Sequence, residues 1–247
     1  MKFIVFILIL VNGVLAQSKG FYPMDEALEA LKSDDKVTVK QVKVPQWKIA
    51  DSFYLFSPVA TKKTQGFILY PGARVDARSY APLLRNMALR GIVSVLINMP
   101  YNNPTLGLRR AKHAMKSVPE INQWIVGGHS LGGTSAATFV KYNVSKVNGL
   151  ILWASYPSKI MSLRKALLPV LSIYGDHDGL TTIEDIDDHR DYLPISSEYH
   201  LIAGANHTGF GSYGDGEPQE GDNYSSLSLE TQHQLIVDRT VEFIESL

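Results

Sequence analysis

Gly127-Gly128-His129-Ser130-Leu131-Gly132-Gly133 is the stretch on which the reading of this chain turns. It follows the apolar run Trp124 to Val126, read as a strand, and precedes a helix predicted over Thr134 to Tyr142. A Gly-x-Ser-x-Gly pattern arises by chance in roughly one chain in ten of this length at a glycine usage of about 7%, so the flanks decide its meaning. Between strand and helix, the serine must sit on a turn too sharp for relaxed backbone. Glycines two residues to either side then leave room for strand and helix to approach. Such a turn presents Ser130 at the carboxyl end of a strand as a nucleophile; the alternative is an ordinary strand-to-helix turn.

A serine hydroxyl attacks poorly near neutral pH unless a base removes its proton, so the chain must supply a histidine and an acid, here in the order Ser, Asp, His. His207 follows the predicted strand Glu198 to Ile202 through Ala203-Gly204-Ala205-Asn206, which puts it at the same carboxyl edge as Ser130. His113, His189 and His233 fall in predicted helices and His200 in a strand, while His129 is expected to pack behind the turn. His177 is the lesser alternative as base. The acid comes from Gly175-Asp176-His177-Asp178, just after the strand Val170 to Tyr174. Spacing does not separate its two aspartates. Asp178 is preferred for its reach under the imidazole, with Asp176 expected to bind backbone amides.

The oxyanion that forms on an attacked carbonyl needs two donors aimed in advance. One is the backbone N–H after the nucleophile, Leu131; the second is expected from Ala73 or Arg74, because Tyr70-Pro71-Gly72-Ala73-Arg74 follows an early strand and Gly72 lets the backbone turn. Trp153, Tyr156, Phe210 and Tyr213 follow or flank the loops around the serine. They either line an apolar acyl pocket or serve as ordinary packing, and the sequence favours neither.

Outward from this centre, short apolar strands alternate with helices from Gly66 onward: Phe67 to Tyr70, a helix over Ser79 to Arg90, Ile92 to Ile97, a helix around Leu106 to Met115, then Trp124 to Val126. The series continues with Val147 to Trp153, Val170 to Tyr174, a helix around Ile183 to Tyr192, Glu198 to Ile202 and a last helix over Leu229 to Phe243. This alternation predicts an α/β fold, a doubly wound and mostly parallel sheet with helices on both faces. Val37 to Val44 and Trp47 to Phe56 read as outer edge strands. Only about a dozen residues separate Trp153 from Leu167, too few for a large lid, so an open site is expected. Gly204 to Asn223 reads as one long loop.

Length, composition and charge bound the rest. The 247 residues are 45% hydrophobic, with 24 basic and 24 acidic side chains and no cysteine. That suits one catalytic-size domain with a substantial core, no disulfides, and no field to gather nucleic acid. Lys2, the apolar run Phe3 to Val11 and Val14-Leu15-Ala16 have the form of a signal peptide, residues 1–16, cleaved after Ala16. The run is short of the roughly 20 residues of a bilayer span. Residues 17–65 are then an N-terminal segment with edge strands and 66–247 the core. Secretion is therefore expected, and the sequons at Asn143, Asn206 and Asn223 agree with it weakly. A glycan on Asn206 would crowd His207, so that sequon is expected to stay unmodified. Oligomeric state leaves no mark in the sequence.

Several separate motifs in register resemble the α/β-hydrolase superfamily, most closely its compact, lidless fold-5 domain family. They are Tyr70-Pro71-Gly72 with Ser79 to Pro82, Gly128 to Gly133, Gly149-Leu150 with Leu152 to Pro157, Gly175 to Gly179, and His207 with Phe210-Gly211, Tyr213-Gly214 and Gln219 to Asp222. The resemblance implies a Ser130, Asp178, His207 triad working without metal or organic cofactor, in a family described only as esterases or lipases. Asp215-Gly216-Glu217 departs from its pattern near His207. The expected activity is hydrolysis of small, uncharged carboxylic esters through an acyl-enzyme. Two alternatives are a secreted binding protein that keeps the fold without catalysis, and a lipase proper, which would need a lid the sequence does not contain.

Overall fold

Along β3 (Gln65–Tyr70), Phe67 and Leu69 enter one hydrophobic cluster while Ile68 and Tyr70 enter another, the period of two that a strand buried on both faces must show. Beyond the short helix α1 (Asp25–Glu29), the first cluster holds Leu84 and Met87 of α2 (Ala81–Leu89) with Ile236 and Phe243 of α6 (Leu229–Glu245). The second holds Ala114 of α3 (Arg110–Ser117) with Ala137 and Val140 of α4 (Leu131–Lys141). The sheet therefore lies between two helical layers. This computed structural model describes residues 21–60 and 64–247; the predicted signal peptide lies outside the described residues.

Eight strands form one sheet in the order β1-β2-β4-β3-β5-β6-β7-β8. The remaining strands are β1 (Val37–Lys43), β2 (Ser52–Pro58), β4 (Val93–Ile97), β5 (Gln123–His129), β6 (Gly149–Trp153), β7 (Val170–Gly175) and β8 (Glu198–Ile202). From β4 to β8 every neighbouring pair is parallel, whereas β1 and β2 are antiparallel and continue the sheet past β4. The strand order reverses at β3, so β3 and β5 part their helices to opposite faces and open a crevice at their carboxyl ends, the usual place for a ligand in such sheets. The connection from Trp153 to Val170 contains a single short 3₁₀ turn, Lys159–Met161, and no large lid covers that edge.

The boundaries differ from the sequence expectation where glycine and proline intervene. The helix after Ser130 starts at Leu131 rather than Thr134, because Gly132 and Gly133 are taken into its first turn. Pro100 and Pro104 hold the chain after β4 in two 3₁₀ turns, which delays α3 to Arg110. The helix α5 (Ile183–His189) ends before Tyr192, in a 3₁₀ turn.

His233 on α6 is buried, and burial pushes its imidazole down from 6.5 to about 4, with Gly211's backbone and Glu26 opposing. An unfolded chain takes up this proton near pH 6.5 and the native protein only near 4. Stability is therefore lost as pH falls through that window. At about 1.4 kcal/mol per pH unit, the loss is on the order of 3 kcal/mol. A melting temperature that drops between pH 7 and pH 4, and drops less in His233→Gln, is the expected result; an unchanged pH slope in that variant would refute the assignment.

Candidate active site

Ser130 sits between β5 and α4 with φ 54° and ψ −128°, a conformation costly for any side chain with a Cβ. Its surroundings over-determine it. The Ser130 N–H donates to the Trp153 carbonyl at 3.0 Å, and its own carbonyl accepts from Gly133 N–H at 2.9 Å and Ser155 Oγ at 2.6 Å. Glycine is required on both sides for space rather than slack. A Cβ on Gly128 would fall 2.4 Å from the Gly132 backbone, and one on Gly132 would fall 2.2 Å from the Tyr70 carbonyl oxygen. Sequence reading did not single out Ser155, although it lies in the quoted Leu152 to Pro157 motif.

His207 follows β8 and is 2% exposed. Its Nδ1 lies 2.8 Å from Asp178 Oδ2, and both side chains are closed to solvent. A carboxylate can only accept, so Nδ1 carries the imidazole proton and Nε2 keeps its lone pair. Asp178 is fixed in turn, because its Oδ1 accepts from the N–H groups of Leu180 at 2.8 Å and Thr181 at 2.6 Å. Asp176 faces elsewhere and accepts from Gly204 N–H at 2.6 Å. His177 turns to the Tyr224 carbonyl at 3.0 Å. The geometry thus pairs His207 with Asp178 alone of the two aspartates.

The His207 ring lies 4.5 Å, centroid to centroid, from the ring of His129, which directly precedes Ser130. Burial holds His129 well below the usual imidazole range; the His207 ring adds to that, and the nearby His207 backbone opposes it. A neutral neighbour leaves His207 able to accept a proton without a second positive charge beside it. His129 also stacks on Phe210 at 5.4 Å and meets the Tyr80 hydroxyl through Nδ1 at 2.8 Å. That hydroxyl accepts from Gly72 N–H at 3.0 Å. Tyr80 therefore ties the Pro71-Gly72-Ala73 turn to the residue behind Ser130, a link that no sequence spacing announced.

The two oxyanion candidates from the early turn separate here. Arg74 donates its N–H to the Asn102 carbonyl at 2.7 Å, so that amide is committed elsewhere. Leu131 opens α4, where a first-turn N–H has no acceptor within its own helix.

Asp222 is the residue that sequence reasoning undervalued. Its Oδ1 accepts from Gly179 N–H at 3.1 Å and His207 N–H at 3.2 Å, and its Oδ2 from Thr208 N–H at 2.8 Å and Thr208 Oγ1 at 2.7 Å. One carboxylate thereby braces the loop of Asp178 against the loop of His207. Only its place in the Gln219 to Asp222 motif hinted at this.

Of the four aromatic residues proposed for an acyl pocket, three are closed from solvent. Trp153 packs on Phe67 at 5.7 Å and donates from its indole to Thr240 at 3.2 Å, Phe210 lies under His129, and Tyr213 accepts from Gln219 at 2.7 Å. Packing describes these three. Tyr156 is half-buried and stacks on His189 at 3.8 Å. Asn206 is 4% exposed, with Nδ2 bound to the Asn223 carbonyl at 2.7 Å, so a glycan there would break the His207 loop. A cavity of about 150 Å³ behind that loop is lined by Asn206, Thr208 and Tyr213 but not by Ser130, and the hydrogen-bonded pair beside Ser130 remains the better guide to chemistry. Among the described residues, no helix is long and apolar enough to cross a membrane, and no group of His, Cys, Asp or Glu is placed to hold a metal ion.

Comparison with known proteins adds one match. The model of a family described as "Alpha/beta hydrolase family" matches residues 66–234, which begin at the second residue of β3 and end within α6. No curated protein matches the chain.

Proposed function

The chain belongs to the alpha/beta hydrolase family, and from that premise we propose that it is a serine hydrolase cleaving carboxylic esters through an acyl-enzyme. The observation that carries this reading is the buried 2.8 Å pair of His207 and Asp178 packed beside the strained turn of Ser130. In the first step, His207 Nε2 takes the Ser130 hydroxyl proton as Oγ attacks the ester carbonyl. The N–H groups of Leu131 and Ala73 hold the oxyanion. His207 returns the proton to the leaving alcohol, and Asp178 steadies the imidazolium without taking the proton itself. Water, deprotonated by His207, then releases the acid and restores Ser130. A short connection after β6 and the zero net charge favour small, uncharged esters as substrates.

A fluorophosphonate probe tests this directly, since it phosphonylates only a serine whose hydroxyl is activated. Peptide mass spectrometry is expected to place one adduct on Ser130, absent from Ser130→Ala. If folded wild-type protein takes up no probe, the hydrolase reading fails and the fold serves binding instead.

A further inference from the structure

At the same end of the sheet as Ser130, a second cleft opens toward the antiparallel edge. The pairing of Phe53 with Ile97 brings the β1–β2 connection beside the residues that follow β4. In the sheet order, β4 is two strands from β5, or about 10 Å at roughly 4.8 Å per strand. The cleft has a volume of about 450 Å³, within the range of small-molecule sites. Its walls combine apolar Trp47, Ile49 and Leu106 with basic Lys48, Arg109 and Arg110; no aspartate or glutamate is among its described lining residues. In a chain of zero net charge, that is a local excess of one sign.

Arg110 sets the character of the floor. It is 7% exposed, stacks on the Trp47 ring with its guanidinium carbon 4.3 Å from the centroid, and donates to the backbone carbonyls of Ile49, Ala50 and Asn98. Carbonyl dipoles and an aromatic face hold a guanidinium in place without cancelling its charge. Burial lowers its pKa only to about 10, so it stays cationic at neutral pH. At the rim, Ile49 is 44% and Leu106 58% exposed, apolar surface that a ligand would cover. Lys48 and Arg109 are exposed beside them.

We propose that this cleft binds an amphipathic carboxylate, its apolar body against Ile49, Leu106 and the edge of Trp47 and its head between Lys48 and Arg109. Opposite charge draws the head in, and the buried Arg110 adds to the field without surrendering its own hydrogen bonds. The site does not depend on the chemistry proposed for Ser130.

Isothermal titration calorimetry with sodium decanoate tests it, against decyltrimethylammonium, the same chain length with a cationic head. Wild-type protein is expected to bind decanoate one to one, more weakly as salt rises, and to bind the cation at least tenfold more weakly. The double variant Lys48→Glu, Arg109→Glu, both exposed positions, is expected to lose at least tenfold in decanoate affinity at an unchanged melting temperature. Absence of decanoate binding, equal binding of the two head groups, or a folded double variant of unchanged affinity would overturn the proposal. The comparison of head groups on unaltered protein decides the matter even if the double variant fails to fold.

Discussion

Asp178→Asn is expected to lower kcat/KM for an ester substrate by about 10⁴ while leaving the fold intact, because it imposes the wrong imidazole tautomer. The argument comes from the other carboxylate oxygen. Oδ1 accepts from two backbone N–H groups, those of Leu180 and Thr181. An asparagine must turn its carbonyl to that side, since its NH₂ would meet donors there. The NH₂ then faces His207 Nδ1, which must accept, and the ring proton moves to Nε2, the atom required as base. Asp176→Asn, whose carboxylate serves Gly204, is expected to change kcat/KM by less than about tenfold. Steady-state kinetics on both variants checks the pair; comparable losses would mean that Asp178 acts through loop structure and not through the imidazole.

The second large effect is on stability. Gly132→Ala puts a Cβ 2.2 Å from the Tyr70 carbonyl oxygen and 2.3 Å from that of Pro71, and both obstacles are backbone. Neither can rotate away. Either α4 moves off the sheet or the Pro71-Gly72-Ala73 turn is displaced, and the second outcome also removes Ala73 from its proposed role. Overpacking of this kind costs about 3 kcal/mol or more, a large share of the roughly 5–15 kcal/mol that holds a domain together. In a chain of 247 residues, this lowers the melting temperature by roughly 6–12 °C. Gly149→Ala is the control, because the closest atom to its Cβ would be the end of the Leu247 side chain at 3.0 Å, with Phe243 and Ile125 at ordinary contact distances of 3.5 and 3.6 Å. Calorimetric melting of the two variants gives the comparison, and equal melting temperatures would refute the steric account.

Legibility followed the range of the interactions involved. The strands β3 to β8 and most of the helices were read from apolar periodicity, which is a local property of a chain that must bury alternate faces. Even there, the sequence puts the start of α4 three residues late, because glycine weakens a local helix signal and only packing against β5 recovers it. At the candidate site, the glycines around Ser130 were readable for the same reason: the turn they permit is made within a few residues.

Local sequence carries the α/β class, the strand-to-helix turn at Ser130 and the short list of histidines and aspartates at the carboxyl edge. Each of these depends on residues near one another along the chain. Tertiary structure alone decided that Asp178 and not Asp176 faces His207, that Arg74 gives its amide to Asn102, and that Trp153, Phe210 and Tyr213 are closed from solvent. It alone brought Tyr80 to His129, 49 residues away, and Asp222 to Gly179, 43 residues away. Contacts of that span are set by how the strands are ordered and how their loops fold over the edge, and a hydrogen bond between distant residues leaves no periodicity for a sequence to display.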